Sequence, residues 1–121
     1  MTVVAWILQI VLALAFLAAG IMKLVRPKPA LVSSGMGWAD DFSGNAVKGI
    51  GAVEVLGALG LILPAVTGIA PVLVPIAALG LAITMACAVV VHLRRKETII
   101  PPLVLGVLAL VLAVLRFGTP A

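Results

Sequence analysis

The chain has 121 residues and a formal net charge of +4, and its composition is 64% hydrophobic and only 10% charged. A domain this small cannot bury that much apolar surface, so a water-soluble globule is excluded and lipid is the natural solvent. The cations border apolar runs instead of forming a basic domain, which excludes nucleic acid as a partner; the single cysteine, Cys87, excludes an internal disulfide and a CxxC dithiol.

The first predicted element is an apolar helix over residues 3–25, where about 20 residues suffice to span a bilayer. It lacks a basic start and its apolar region is too long for a cleaved signal peptide, so it reads as a retained span. Gln9, Ala13, Phe16, Gly20 and Lys23 recur at steps of four and three and so share one helix face. Lys23 lies about 5 Å inside the level of Arg26 at ~1.5 Å per residue, and is expected to snorkel to that interface.

Residues 26–45, "RPKPALVSSGMGWADDFSGN", form the one long connection. Trp38 and Phe42 suit the headgroup level, and Asp40 and Asp41 keep the segment wet. It is read as a plain loop, a short interfacial helix, or a cover over the bundle mouth; as a cover it would bring Trp38 to a ligand site.

The second span covers residues 46–63 and is expected to stop at Pro64. It is rich in glycine (Gly49, Gly51, Gly57, Gly60), and Gly51, Glu54, Gly57 and Ala58 share a side. The third covers 70–93, with Pro71 in its first turn and Pro75 deep enough to kink it. Gly80, Thr84, Ala88 and His92 follow at steps of four, and small residues of this kind let membrane helices approach closely. Cys87 is expected to pack as a small buried hydrophobe. The fourth span, 100–117, opens on Pro101–Pro102, which suit a first helical turn; it has no polar group before Arg116 and reads as a structural wall. Without water to satisfy the backbone, helices are the spanning structure, and the ten-residue alternation of a barrel is absent. Short bends make antiparallel neighbours. The predicted fold is thus all-α: one integral membrane domain over 1–121, an up-down four-helix bundle.

Seven cations fall at one end of these spans, Lys23, Arg26, Lys28, Lys48, Arg94, Arg95 and Lys96, and only Arg116 at the other. Cytoplasmic loops collect Lys and Arg. The expectation is a multi-pass protein of a bacterial-type plasma membrane, with both termini outside the cytoplasm and the 26–45 loop and His92 at the cytoplasmic edge.

Glu54 lies six residues beyond Lys48, hence about 9 Å deeper, where an ionised carboxylate costs several kcal/mol unless paired or wetted. The topology can gather Lys23, Glu54 and His92 at the cytoplasmic mouth. One reading is a polar pocket: Glu54 exchanges a proton or holds a ligand group, His92 titrates near neutral pH, and Lys23 supplies charge. The other is a structural Lys23–Glu54 ion pair with His92 capping the third span. Glu54 and His92 are also the candidate catalytic acid–base pair. One His, one Cys and one buried Glu fall short of a metal ligand set, and the glycines around Glu54 lie inside a span, not in a phosphate loop.

Three ordered segments, "LAAGIMKL", "GIGAVEVLGALGLILP" and "MACAVVVHLRRKE", resemble the DoxX-like family of small four-helix membrane proteins over residues 16–97. The resemblance implies that fold and carries Lys23, Glu54 and His92 over as the family's polar positions. It also implies a link to thiosulfate:quinone oxidoreduction, to membrane redox-protection assemblies or to assembly chaperones. This chain shows no redox cofactor motif. The functional expectation is a membrane subunit or helper that binds a partner, such as a membrane or peripheral redox protein, or a lipophilic molecule such as a quinone or lipid, near Glu54. The alternatives are a small membrane enzyme using Glu54 and His92 on a lipophilic substrate, and a structural homo-oligomer joined through glycine faces.

Overall fold

A computed structural model describes residues 2–118 of the chain. Four helices are long and apolar enough to cross a membrane: α1 (Thr2–Val25), α3 (Gly44–Thr67), α4 (Leu73–Arg94) and α5 (Ile100–Gly118). A short helix, α2 (Lys28–Ser33), and a 3-10 turn, Gly37–Asp41, occupy the long connection. The spans alternate in direction, so the end of α1, the start of α3, the end of α4 and the start of α5 meet at the basic end. Around the bundle α1 packs on α3, α3 on α4 and α4 on α5, and α5 closes more loosely on α1. The all-α bundle expected from the sequence is what forms.

Leu12, Phe16, Leu61, Leu81 and Leu112 fill the core, while Val3, Ile7, Leu56 and Val114 face outward. Lipid is as apolar as these outer side chains, so burial alone does not hold the spans together and close packing must. The α1 stripe of Gln9, Ala13, Phe16, Gly20 and Lys23 is buried throughout. Its tightest contact is the crossing of Gly20 with Gly51. A Cβ at Gly20 would lie 2.7 Å from the Gly51 carbonyl oxygen, and one at Gly51 would lie 2.8 Å from the Gly20 carbonyl oxygen. Gly57 takes the Leu81 side chain and Gly60 faces Ala77, which seats α4 on the outer half of α3. Gly49 and Gly80, by contrast, have nothing within 4 Å of such a Cβ, so these two do not serve close approach.

Several boundaries differ from expectation. Ser43 caps α3 by accepting from the Ala46 N–H, so the helix starts at Gly44. It also runs past Pro64 to Thr67. A proline that near the C-terminus disturbs little of the ladder, and the left-handed Gly68 returns its N–H to the Pro64 carbonyl at 3.0 Å. α4 begins at Leu73, which puts Pro75 in the first turn, where a missing N–H costs little and no kink is required. Cys87 is exposed rather than packed in the core; Met85 takes the buried place.

The end opposite the basic one holds a polar cluster that the wall reading of span four did not anticipate. Arg116 is only 1% exposed. Its Nε donates to Gln9 Oε1 at 2.8 Å, Gln9 Nε2 donates to the Leu61 carbonyl, and the guanidinium stacks 5.2 Å from the Trp6 ring centre. The cluster joins α5, α1 and α3 across the looser seam. Arg116→Leu removes the donor from a buried amide oxygen, and is expected to lower stability by about 1–3 kcal/mol in thermal unfolding of nanodisc-embedded protein. The Gln9→Leu/Arg116→Leu double variant should recover part of that loss.

Candidate functional site

Between the four helices at the basic end lies a cavity of about 340 Å³. Lys23, Glu54, His92 and Trp38 all line it, together with Phe42 and Cys87. Contrary to the snorkelling expected from the sequence, Lys23 turns inward and is 6% exposed. The reason is local. Gly51 leaves room for the lysine stem, since a Cβ there would lie 2.8 Å from Lys23 Cβ, and Glu54 follows one turn deeper on the same face. Lys23 Nζ then lies 2.7 Å from Glu54 Oε1, and both side chains are almost wholly buried. Pairing offsets the large penalty that either charge alone would carry in low dielectric.

His92 faces the same cavity but its partner is Glu97, not Glu54: Nδ1 lies 3.0 Å from Glu97 Oε1. A carboxylate only accepts, so Nδ1 carries the proton in this contact. The chain end of α4 explains the geometry. Lys96 adopts φ 57°, and the N–H groups of Lys96 and Glu97 return to the carbonyls of Leu93 and His92. This is a Schellman turn built on a non-glycine residue, and it swings Glu97 back beside His92 and Arg95.

The long connection covers the mouth. Leu31, Ala39 and Val47 form a small core of their own, flanked by Met22, Met36, Trp38 and Phe42. Trp38 meets Phe42 edge-on, with ring centres 5.9 Å apart, and its ring lies 5.8 Å from the Lys23 ammonium. Arg95 ties the cover down: Nη1 donates to Asp41 Oδ2 at 2.6 Å, and Nε lies 3.2 Å from Glu97 Oε2. The hydrogen bond that Arg95 donates to Asp41, then that to Glu97, raises the Arg95 pKa above its ordinary value. Polar contacts run unbroken from the cover through Arg95 and Glu97 to His92 on the cavity wall. Asp41→Asn is expected to change stability by less than about 1 kcal/mol, as exposed pairs do, yet to raise acrylamide quenching of Trp38 in a Trp6→Phe background. Unchanged quenching would show that the pair does not hold the cover.

These features define a class: a multi-pass helical membrane protein with a covered, largely apolar cavity and a buried ion pair at one end of the bundle. The chain belongs to the DoxX-like family, whose model matches residues 7–115. No curated protein and no solved structure matched the chain in the corresponding searches. The cavity brings together Lys23, Glu54, His92 and Trp38, the four residues singled out from the sequence. Sequence reasoning missed the roles of Glu97, Asp41 and Arg95, for which the signal was three acids, Asp40, Asp41 and Glu97, beside an otherwise basic end.

Proposed function

We propose that the chain is a membrane subunit or helper that binds a lipophilic molecule, of quinone type, with its polar head against Lys23 and Glu54. The observation that carries this reading is the buried 2.7 Å Lys23–Glu54 pair on the wall of a 340 Å³ cavity that is otherwise mainly apolar. Ligand sites combine an apolar lining with a few placed polar groups, and a quinone carbonyl accepts the hydrogen bond that an ammonium offers. Trp38 and Phe42 supply aromatic faces for a planar ring. Binding is favoured over acid–base catalysis because Glu54 is held by Lys23 and His92 by Glu97. We place the basic end in the cytoplasm of a bacterial-type plasma membrane on the charge asymmetry.

The test is retention. Nanodiscs containing the protein are loaded with decyltrimethylbenzoquinone, passed through size exclusion and extracted. Wild type should retain the quinone above protein-free discs, and the Lys23→Met/Glu54→Gln variant should fall to the disc background. Equal retention by both would refute the reading.

A further inference from the structure

We infer that the gap between α3 and α4, flanked by Ile50 and Cys87, is the cavity's entrance from the bilayer, and that the hydrocarbon chain of an amphiphilic ligand lies in it. This rests on the binding reading above and adds the route and the chain.

Helix phase locates the gap. Gly57 and Gly60 of α3 receive Leu81 and Ala77 of α4, so the two helices touch in the outer half of the bundle. Ile50 lies two turns before Gly57 on the same stripe of α3. Thr84, Ala88 and Val91 continue the stripe of Ala77 and Leu81 along α4. Towards the basic end Ile50, Thr84, Ala88 and Val91 line the cavity, so the seam between α3 and α4 borders it there.

The alternative way in, from water, is covered by Trp38 and Phe42 and held by the Asp41–Arg95 pair. Among the described residues, no segment of the long connection lines the cavity beside Cys87 on that flank of the bundle. Cys87 is exposed, lines the cavity, and lies seven residues before Arg94, about 10 Å inside the basic interface. At that depth its exposure is to hydrocarbon. Val53, on the facing edge of α3, is 49% exposed. Thr84 adds no free polar group, because its hydroxyl donates to the Gly80 carbonyl at 2.9 Å. The gap is thus lined by apolar or weakly polar groups, at the depth of lipid chains, and leads to a buried ion pair. That arrangement fits a compact head with a hydrocarbon chain, the head inside and the chain trailing outward.

The experiment compares tetramethylbenzoquinone with decyltrimethylbenzoquinone on nanodisc-embedded wild type and Val53→Trp, a position on the edge of the gap that does not line the cavity. Both rings are fully substituted, so neither adds a thiol. An indole in the gap should weaken the decyl compound by roughly tenfold, the scale of an overpacking clash, and leave the head-only compound unchanged. A decyl analogue bearing a mid-chain diazirine should cross-link wild type at peptides holding Val53 or Cys87. If both quinones bind and Val53→Trp affects them equally, or if cross-links fall on α1 and α5, the entrance is elsewhere while the cavity reading stands. If neither quinone binds wild type, the cavity reading fails and the entrance with it.

Discussion

Replacing Glu54 by alanine is expected to cost about 3–5 kcal/mol of stability, because it strands the Lys23 ammonium, itself 6% exposed, without its counter-charge. The double variant Lys23→Met/Glu54→Leu should lie much closer to wild type, since a matched apolar pair carries no charge into the interior. Reversible unfolding in mixed micelles measures both. A single variant as stable as the double would mean that Lys23 finds water or a new partner, and that the pair does not organise the site. The double variant also separates stability from function: it should fold and lose quinone retention.

Gly51→Val should be the second severe change. Its Cβ would sit 2.8 Å from both the Gly20 carbonyl oxygen and Lys23 Cβ, and neither is the loose end of a side chain. The helices must separate, at a cost of about 1–3 kcal/mol or more, and Lys23 is pushed off Glu54. Thermal unfolding should fall, and quinone retention should fall with it. Gly49→Ala is the matched control, because the space at Gly49 is open and exchanging glycine for alanine in a helix favours the helix by up to about 1 kcal/mol. A melting temperature for Gly51→Val equal to that of wild type would remove the close crossing from the account.

The spans were legible because length and hydropathy alone decide which segments cross a bilayer, and the basic end was legible because its cations cluster. Glu54 stood out as a charge at a depth where charge is costly. The direction of Lys23 was not legible: snorkelling and inward pairing differ only by whether a neighbouring helix offers both a gap and a counter-charge, and Gly51 and Glu54 offer both. Arg116 read as an ordinary interfacial cation for the same reason. Its partner Gln9 lies on a helix distant in sequence, although two polar groups in otherwise apolar spans at one end were a usable hint. The His92–Glu97 contact depended on a left-handed residue at Lys96, which side-chain identity does not announce. Residues 26–45 combine two of the three forms open to them: a short helix, Lys28–Ser33, and a cover whose Trp38 and Phe42 line the cavity.

The proposed ligand binds beside the Lys23–Glu54 pair and under Trp38. The most direct measurement is a quinone titration of Trp38 fluorescence in Trp6→Phe protein embedded in nanodiscs, since Trp6 and Trp38 are the two tryptophans. The account predicts saturable quenching by decyltrimethylbenzoquinone that is lost in the Lys23→Met/Glu54→Gln variant. Quenching that rises linearly with quinone and is the same in both proteins would contradict it.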